Sequence, residues 1–178
     1  MKRILFFVSI ICLTASCHAG REKLLATIQE NEKKLFSDSL KRLDTAVAAV
    51  QVEAYQSYAE QYPADSLSPE FLFKAADLSN SLYKAAEAIT LLESLRKTYP
   101  KHVRAGTGLF MEAFIYETSL HDNAKAVSKY TEFLQKYPDH QLAQAAEFSL
   151  VQLKQGMSVE DVVKMFEAKN DSAAKLNQ

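Results

Sequence analysis

The sequence predicts an all-α fold, a solenoid built from two-helix repeats, and two observations carry that prediction. The stretch Ala124–Pro138, AKAVSKYTEFLQKYP, occurs in related form three times, each copy ending in Tyr-Pro: Tyr62-Pro63, Tyr99-Pro100 and Tyr137-Pro138. Fourteen residues before the Pro stand Ala49, Ala86 and Ala124, and eleven before stand Val52, Ile89 and Val127. Eight before stand Tyr55, Leu92 and Tyr130, and five before stand Tyr58, Leu95 and Phe133. Steps of three or four place these residues on one apolar stripe of an amphipathic helix. The Pro cannot continue that helix and disfavours α geometry in the Tyr before it, so each copy stops at the same place. The second observation is a marker in phase with the first: Leu35-Phe36, Leu72-Phe73 and Leu109-Phe110 recur every 37 residues, and Phe148 follows 38 after Phe110. Two markers sharing one period, with two helices in each period, signify a helical repeat array.

The bulk properties agree. A chain of 178 residues suits one domain or one short array, and 48% hydrophobic with 24% charged residues is ordinary for a folded protein. The formal net charge is −1; loss of Lys2 and Arg3 with a leader takes the basic residues from 21 to 19 against 22 acidic, a net of −3. That leaves no basic footprint for nucleic acid.

Taken in order, residues 1–16 read as a signal peptide. Lys2 and Arg3 form a positive start, and Ile4–Leu13 is an apolar run too short to span a membrane. Leu13-Thr14-Ala15-Ser16-Cys17 follows and resembles a bacterial lipobox, with Cys17 as the lipidated first residue of the mature chain. Thr14 departs from the Leu usual at that place, and a plain secretory cut after Ala19 is the alternative. Lipidation would make attachment through Cys17 essentially permanent. Cys12 and Cys17 are the two cysteines of the chain, so the mature body has no thiol for a disulfide, a redox site or a cysteine metal site. Residues 17–34 read as an anchor or linker helix with Leu24, Leu25 and Ile28 on one side. Because Leu35-Phe36 is in phase, the same stretch also reads as helix A of an incomplete first repeat.

The repeat domain is expected over residues 35–169. Helix B of the first repeat is placed at about Leu43–Gln61. In the second, helix A is placed at Pro69–Ser81, with Ser68 as N-cap, Pro69 at the first helical position and Glu70 on the dipole. Its helix B is placed at Lys84–Thr98. The third has helix A at His102–Ser119, a turn at His121-Asp122-Asn123 with Asp122 or Asn123 as cap, and helix B at Ala124–Lys136. The fourth opens with His140–Lys154 and ends at Gly156. Ser158 with Asp161 then starts a closing helix, Val159–Lys169, whose Val159, Val162, Val163 and Phe166 share a face. Residues 170–178 form a polar tail. Ala124 is assigned to the close contact between the helices of the third repeat, so Ala124→Arg is expected to destabilise strongly.

Chemical motifs are sparse. His102 and His140 each lie two residues after a repeat Pro, which indicates a helix-start role and not a shared metal site. His18 and His121 are isolated, and no His-Glu-x-x-His occurs. Gly106-Thr107-Gly108 lacks the third Gly and the preceding strand of a dinucleotide site. Gly108 and Ala146 hold the same repeat position, where a small residue lets helices approach. Neither a catalytic constellation nor a cofactor or metal site is expected.

Paired helices with an early Ala, aromatics through helix B and a terminal Pro resemble tetratricopeptide repeats over about residues 35–155. The longer period and the Tyr-Pro ending are closer to the repeats of bacterial envelope proteins. With the lipobox, the chain resembles tetratricopeptide-like envelope lipoproteins, including the BamD family of the outer-membrane β-barrel assembly machinery and the periplasmic repeat proteins that coordinate cell-wall synthesis. The stretches Phe114-Ile115-Tyr116-Glu117 and Leu134–Pro138 resemble short repeat lipoproteins of the Bacteroidetes. The resemblance implies a right-handed superhelix of about three and a half repeats with a C-terminal capping helix. Stacking would leave the A helices along a concave wall that holds an extended peptide or a partner helix. By position the wall residues are Lys74, Asp77, Asn80, Glu112, Tyr116, Gln144 and Glu147. Each alone is an ordinary solvated polar residue; only the wall as a whole is a candidate surface. The implied function is a lipid-anchored, periplasm-facing scaffold for envelope proteins at the outer membrane, accessory to outer-membrane protein assembly. The alternatives are a cell-wall or division coordinator, a self-associating spacer, or an enzyme whose site is assembled from distant side chains. The resemblance implies no small-molecule substrate.

Overall fold

The computed structural model describes residues 2–36 and 43–156, with side chains described from residue 19 onward in the first of these stretches. Seven helices and no strand are found among the described residues: α1 (Lys2–Phe36), α2 (Thr45–Gln61), α3 (Ser68–Ser81), α4 (Ala85–Thr98), α5 (Val103–Thr118), α6 (Asn123–Lys136) and α7 (Ala143–Gly156). The predicted all-α repeat class is the observed one. The chain forms two compact bodies, Met1–Leu82 and Tyr83–Gln178. In the first, α1 packs on α2 and α2 on α3; in the second, α4 packs on α5, α5 on α6 and α6 on α7. The expected closing helix at 159–169 and the tail at 170–178 lie outside the described residues.

The repeat punctuation acts as the sequence suggests. Tyr62, Tyr99 and Tyr137 leave the α region with nearly one geometry: φ −127, ψ 55; φ −126, ψ 57; and φ −134, ψ 56. Each donates its N–H to the carbonyl four residues back, on Tyr58, Leu95 and Phe133. Each carbonyl then accepts from the residue three further on: Asp65, His102 and His140. Those three residues share a second task. Oδ1 of Asp65 accepts from the Leu67 N–H at 2.9 Å, and Nδ1 of His102 and His140 accepts from Arg104 and Leu142 at 3.2 and 3.1 Å. The helix-start role expected of the two histidines is observed, and Asp65 performs it in the first body.

Two caps differ from expectation. Ser68 is the first helical residue of α3, not its cap; it is buried, and its hydroxyl donates to the Tyr62 carbonyl at 2.6 Å. Asp44, not singled out from sequence, caps α2 by accepting from Ala46 and Val47. Asp122 caps α6 through Lys125, as expected. Tyr83 (φ 61) and His121 (φ 53) adopt left-handed geometry at equivalent places, sixteen residues before Tyr99 and Tyr137.

The stripe itself holds for three of its four rows. Val52, Ile89 and Val127, then Tyr55, Leu92 and Tyr130, then Tyr58, Leu95 and Phe133 are all buried. The fourth row is corrected: Ala86 and Ala124 are exposed and Ala49 only half-buried. At about 100° per residue, each step of three lags a full turn by about 60°, so three such steps carry the stripe to the opposite side. The close-contact position is instead twelve before the Pro, where Gln51, Ala88 and Ala126 are each 0% exposed. Gly108 approaches Leu95 and Leu92, as assigned, but Gly106 is tighter: a Cβ there would stand 3.2 Å from His140 and 3.3 Å from Tyr137.

The described part of the stretch read as a linker or as helix A of an incomplete repeat packs against α2 and the turn after it. Ile28 is buried, its carbonyl accepts from Gln51 Nε2 at 3.3 Å, and Arg21 Nε donates to Asp65 Oδ2 at 2.7 Å. No break separates residues 16 and 17 or 34 and 35. Aromatic rings fill both cores. Phe71 lies against Tyr55 and Tyr58, and Phe133 against Phe110, Tyr137 and His140.

Candidate functional site

Each body has a cleft walled by two A helices. In the first body the cleft encloses about 760 Å³ between α1 and α3 and includes Glu32, Lys33, Phe36, Tyr55, Lys74 and Asp77. Lys74 Nζ reaches Glu32 Oε1 at 2.7 Å and lies 5.8 Å from the centroids of both the Tyr55 and Phe71 rings. The same Glu32 oxygen accepts from the Tyr55 hydroxyl at 2.6 Å. Burial pushes the Glu32 carboxyl up, but the Lys74 and Tyr55 donors outweigh it and hold the group below its usual range. Burial, and then the Glu32 carboxylate, push the Tyr55 phenol well up. The result is an aromatic floor crossed by one lysine–glutamate pair, with Phe36 65% exposed at the rim.

In the second body a cleft of about 660 Å³ lies between α5 and α7, lined by Phe110, Met111, Phe114, Gln144, Ala145, Phe148 and Ser149. Five of these seven residues are apolar, and Phe148 is 67% exposed.

The structure therefore brings Lys74 and Asp77 into one cleft and Gln144 into the other. Asn80 is half-buried on α3 and Glu147 exposed on α7, and neither lines a cleft. Tyr116 is half-buried against the core of the second body, with Lys125 Nζ 5.2 Å from its ring centroid. Glu112 is corrected outright. It is 0% exposed, and its two oxygens accept from Arg96 at 2.6 Å and Lys129 at 2.5 Å. It joins α4, α5 and α6 and has no solvated face to offer a partner. The network continues to Glu132, which accepts from Arg96 and Lys136 at 2.8 Å each.

The cleft residues missed from sequence include the aromatic Phe36, Tyr55, Phe110, Phe114 and Phe148. For three of these the signal was the second repeat marker: Phe36 lines the first cleft, and Phe110 and Phe148 line the second. Among the described residues no cluster of three or more His, Cys, Asp or Glu is placed to hold a metal ion. Among them, too, no helix is long and apolar enough to cross a membrane.

Residues 70–102 and 108–140 each match the tetratricopeptide repeat family model. Both windows end on the histidine that follows a Tyr-Pro helix end, so the match and the geometry share a register. No curated protein matches the chain. Repeated Tyr-Pro helix ends and successively packed helices give the described residues an all-α fold like that of tetratricopeptide repeats, and the family match covers 70–102 and 108–140 of it. Arrays of that kind are in general interaction scaffolds for peptides and proteins, without a catalytic centre of their own.

Proposed function

We propose that the chain is a lipid-anchored scaffold, held at the outer membrane through Cys17, that faces the periplasm and binds an envelope protein or an extended peptide along its A helices. The observation that carries the binding reading is the pair of A-helix clefts, each with a phenylalanine of the repeat marker at its wall. A cleft that sets charged side chains round Phe36 and Tyr55, and a second lined mostly by apolar side chains, suit a segment that buries one or two side chains per cleft. The anchor rests on the Ala15-Ser16-Cys17 sequence alone. The role assigned is accessory to outer-membrane protein assembly.

The test is crosslinking in intact cells with a tagged full-length copy, followed by identification of the captured proteins. Capture of a β-barrel assembly component is the expected result. Capture of cell-wall synthases would move the protein to the coordinator role, and capture of itself alone would overturn the scaffold reading in favour of a spacer. Incorporation of labelled fatty acid, lost in Cys17→Ser, tests the anchor; an unlabelled soluble product would refute it.

A further inference from the structure

The B helices α4 and α6 enclose a polar groove that the A-helix reading leaves unused. Its cavity measures about 370 Å³, near the lower end of the range for small-ligand sites. Arg96 and Lys97 of α4 and Lys129 and Lys136 of α6 line it, and Glu93 is the one acidic residue on its wall among those described. Glu112 ties Arg96 to Lys129 from beneath, and Oε1 of Glu132 accepts from both Arg96 and Lys136. These bonds leave donors in excess. Arg96 has five N–H groups and each lysine three, yet Arg96 makes one bond to each of the two glutamates, and Lys129 and Lys136 make one bond each. The Lys97 ammonium, exposed at the rim, has no acceptor among the described residues.

We propose that this groove binds a phosphate group, seated at the end where Lys97 and Lys136 meet Pro100 and Tyr137. The other end is closed to an anion by Glu93, whose carboxylate stands 3.7 Å from Lys129. At the Pro100 end both helices stop, and Arg96, Lys97 and Lys136 face one solvent-reaching carboxylate, Glu132. The partial negative charge at each helix C-terminus, about half a unit, offsets part of that excess and not all of it. Phosphate suits such an end better than a carboxylate does. Its oxygens leave one plane toward both walls, it carries up to two charges, and its bonds from Arg and Lys are charge-assisted. The group can arrive free in solution or on a lipid headgroup, and its chemistry at the groove is the same. The site shares no residue with either A-helix cleft, so it stands independently of the scaffold reading.

Titration of the full chain with sodium phosphate near neutral pH and at constant ionic strength, followed by amide NMR, tests the inference. The backbone signals of Lys97 and Tyr137 are expected to shift and saturate, and sodium chloride at equal ionic strength to leave them in place. Lys97→Ala with Lys136→Ala should weaken binding at least roughly tenfold, and Glu93→Gln should strengthen it several-fold by removing the opposing charge. Lys23→Ala with Lys34→Ala takes the same charge from exposed positions of α1 and should change the affinity less than about twofold. A soluble short-chain phosphatidylglycerol, titrated in the same way, separates the sources. Saturation at lower concentration than with inorganic phosphate assigns the site to a lipid headgroup; tighter binding of inorganic phosphate assigns it to the free ion. Shifts that never saturate, equal shifts with chloride, or equal losses in the two double variants would overturn the proposal.

Discussion

Changing Glu112 to Gln separates a buried structural carboxylate from a groove residue. The carboxylate is fully buried and receives one charge-assisted bond from Arg96 and one from Lys129. Gln keeps the shape but turns an amide NH₂ toward one of the two cations. A hydrogen bond to a charged group is worth about 1.5–3 kcal/mol net, and removing one partner of a buried pair costs about 3–5 kcal/mol. Part of this is returned, because Arg96 and Lys129 are 18% and 22% exposed and keep Glu132 and Glu93 within reach. The expected loss is therefore about 2–4 kcal/mol, or a fall in Tm of roughly 5–15 °C for a chain of this size. The assay is heat and urea unfolding followed by far-UV circular dichroism, in low salt and again in about 1 M salt, where the screening length is about 3 Å. A buried network keeps its effect in salt. A loss under about 0.5 kcal/mol, the range of ordinary surface substitutions, or one that vanishes in salt, would refute the reasoning and return Glu112 to the groove wall.

Three further outcomes follow from the same packing. Ala126→Arg drives an uncompensated charge into the core of the second body and should cost about 3 kcal/mol or more, whereas Ala124→Arg, on the exposed side of α6, should stay within about 0.5 kcal/mol; urea midpoints of the two variants decide the register of the stripe. Tyr83→Asn relieves a left-handed φ at a side chain that is 97% exposed, and a gain of about 0.5–1 kcal/mol is expected by thermal unfolding. Asp122 is held below the usual carboxylate range by the Lys125 backbone N–H and then by the Lys125 side chain. A depressed folded value means that its contribution is present above the unfolded value, about 3.9, and is lost as pH falls through the folded one. Asp122→Ala should thus cost about 1 kcal/mol at neutral pH and converge on the parent in acid; a pH series of Tm values measures this.

Much of the fold is legible in the chain because its signals are local. Pro63, Pro100 and Pro138 stop their helices through their own ring geometry, and the side chain two further on, Asp65, His102 or His140, accepts from the backbone N–H two residues beyond it, in the turn that leads into the next helix. Buried Tyr55, Tyr58, Tyr130 and Phe133 follow from helical spacing. Less of the site is legible. The wall position of Glu112 on α5 is that of a groove residue, and only its neighbours reveal otherwise, since Arg96 comes from α4 and Lys129 from α6. Phe148 reads as one more core marker, yet it stands at a cleft wall because the described helices pack only on the far side of α7.

The sequence by itself determined the class, the repeat length, the helix ends and the A and B roles, since each rests on backbone constraints and a periodicity confined to a few neighbouring residues. Of the two readings the sequence left for this stretch, linker or helix A of an incomplete repeat, only tertiary structure shows how its described part packs, through Ile28 and the Arg21–Asp65 pair. Tertiary structure also decided that the small residue at the helix contact is Ala126 and not Ala124, and that Glu112 is a buried tie. Those outcomes depend on which side chains arrive from other helices, and a lag of about 60° per three-residue step is enough to turn an inferred contact outward.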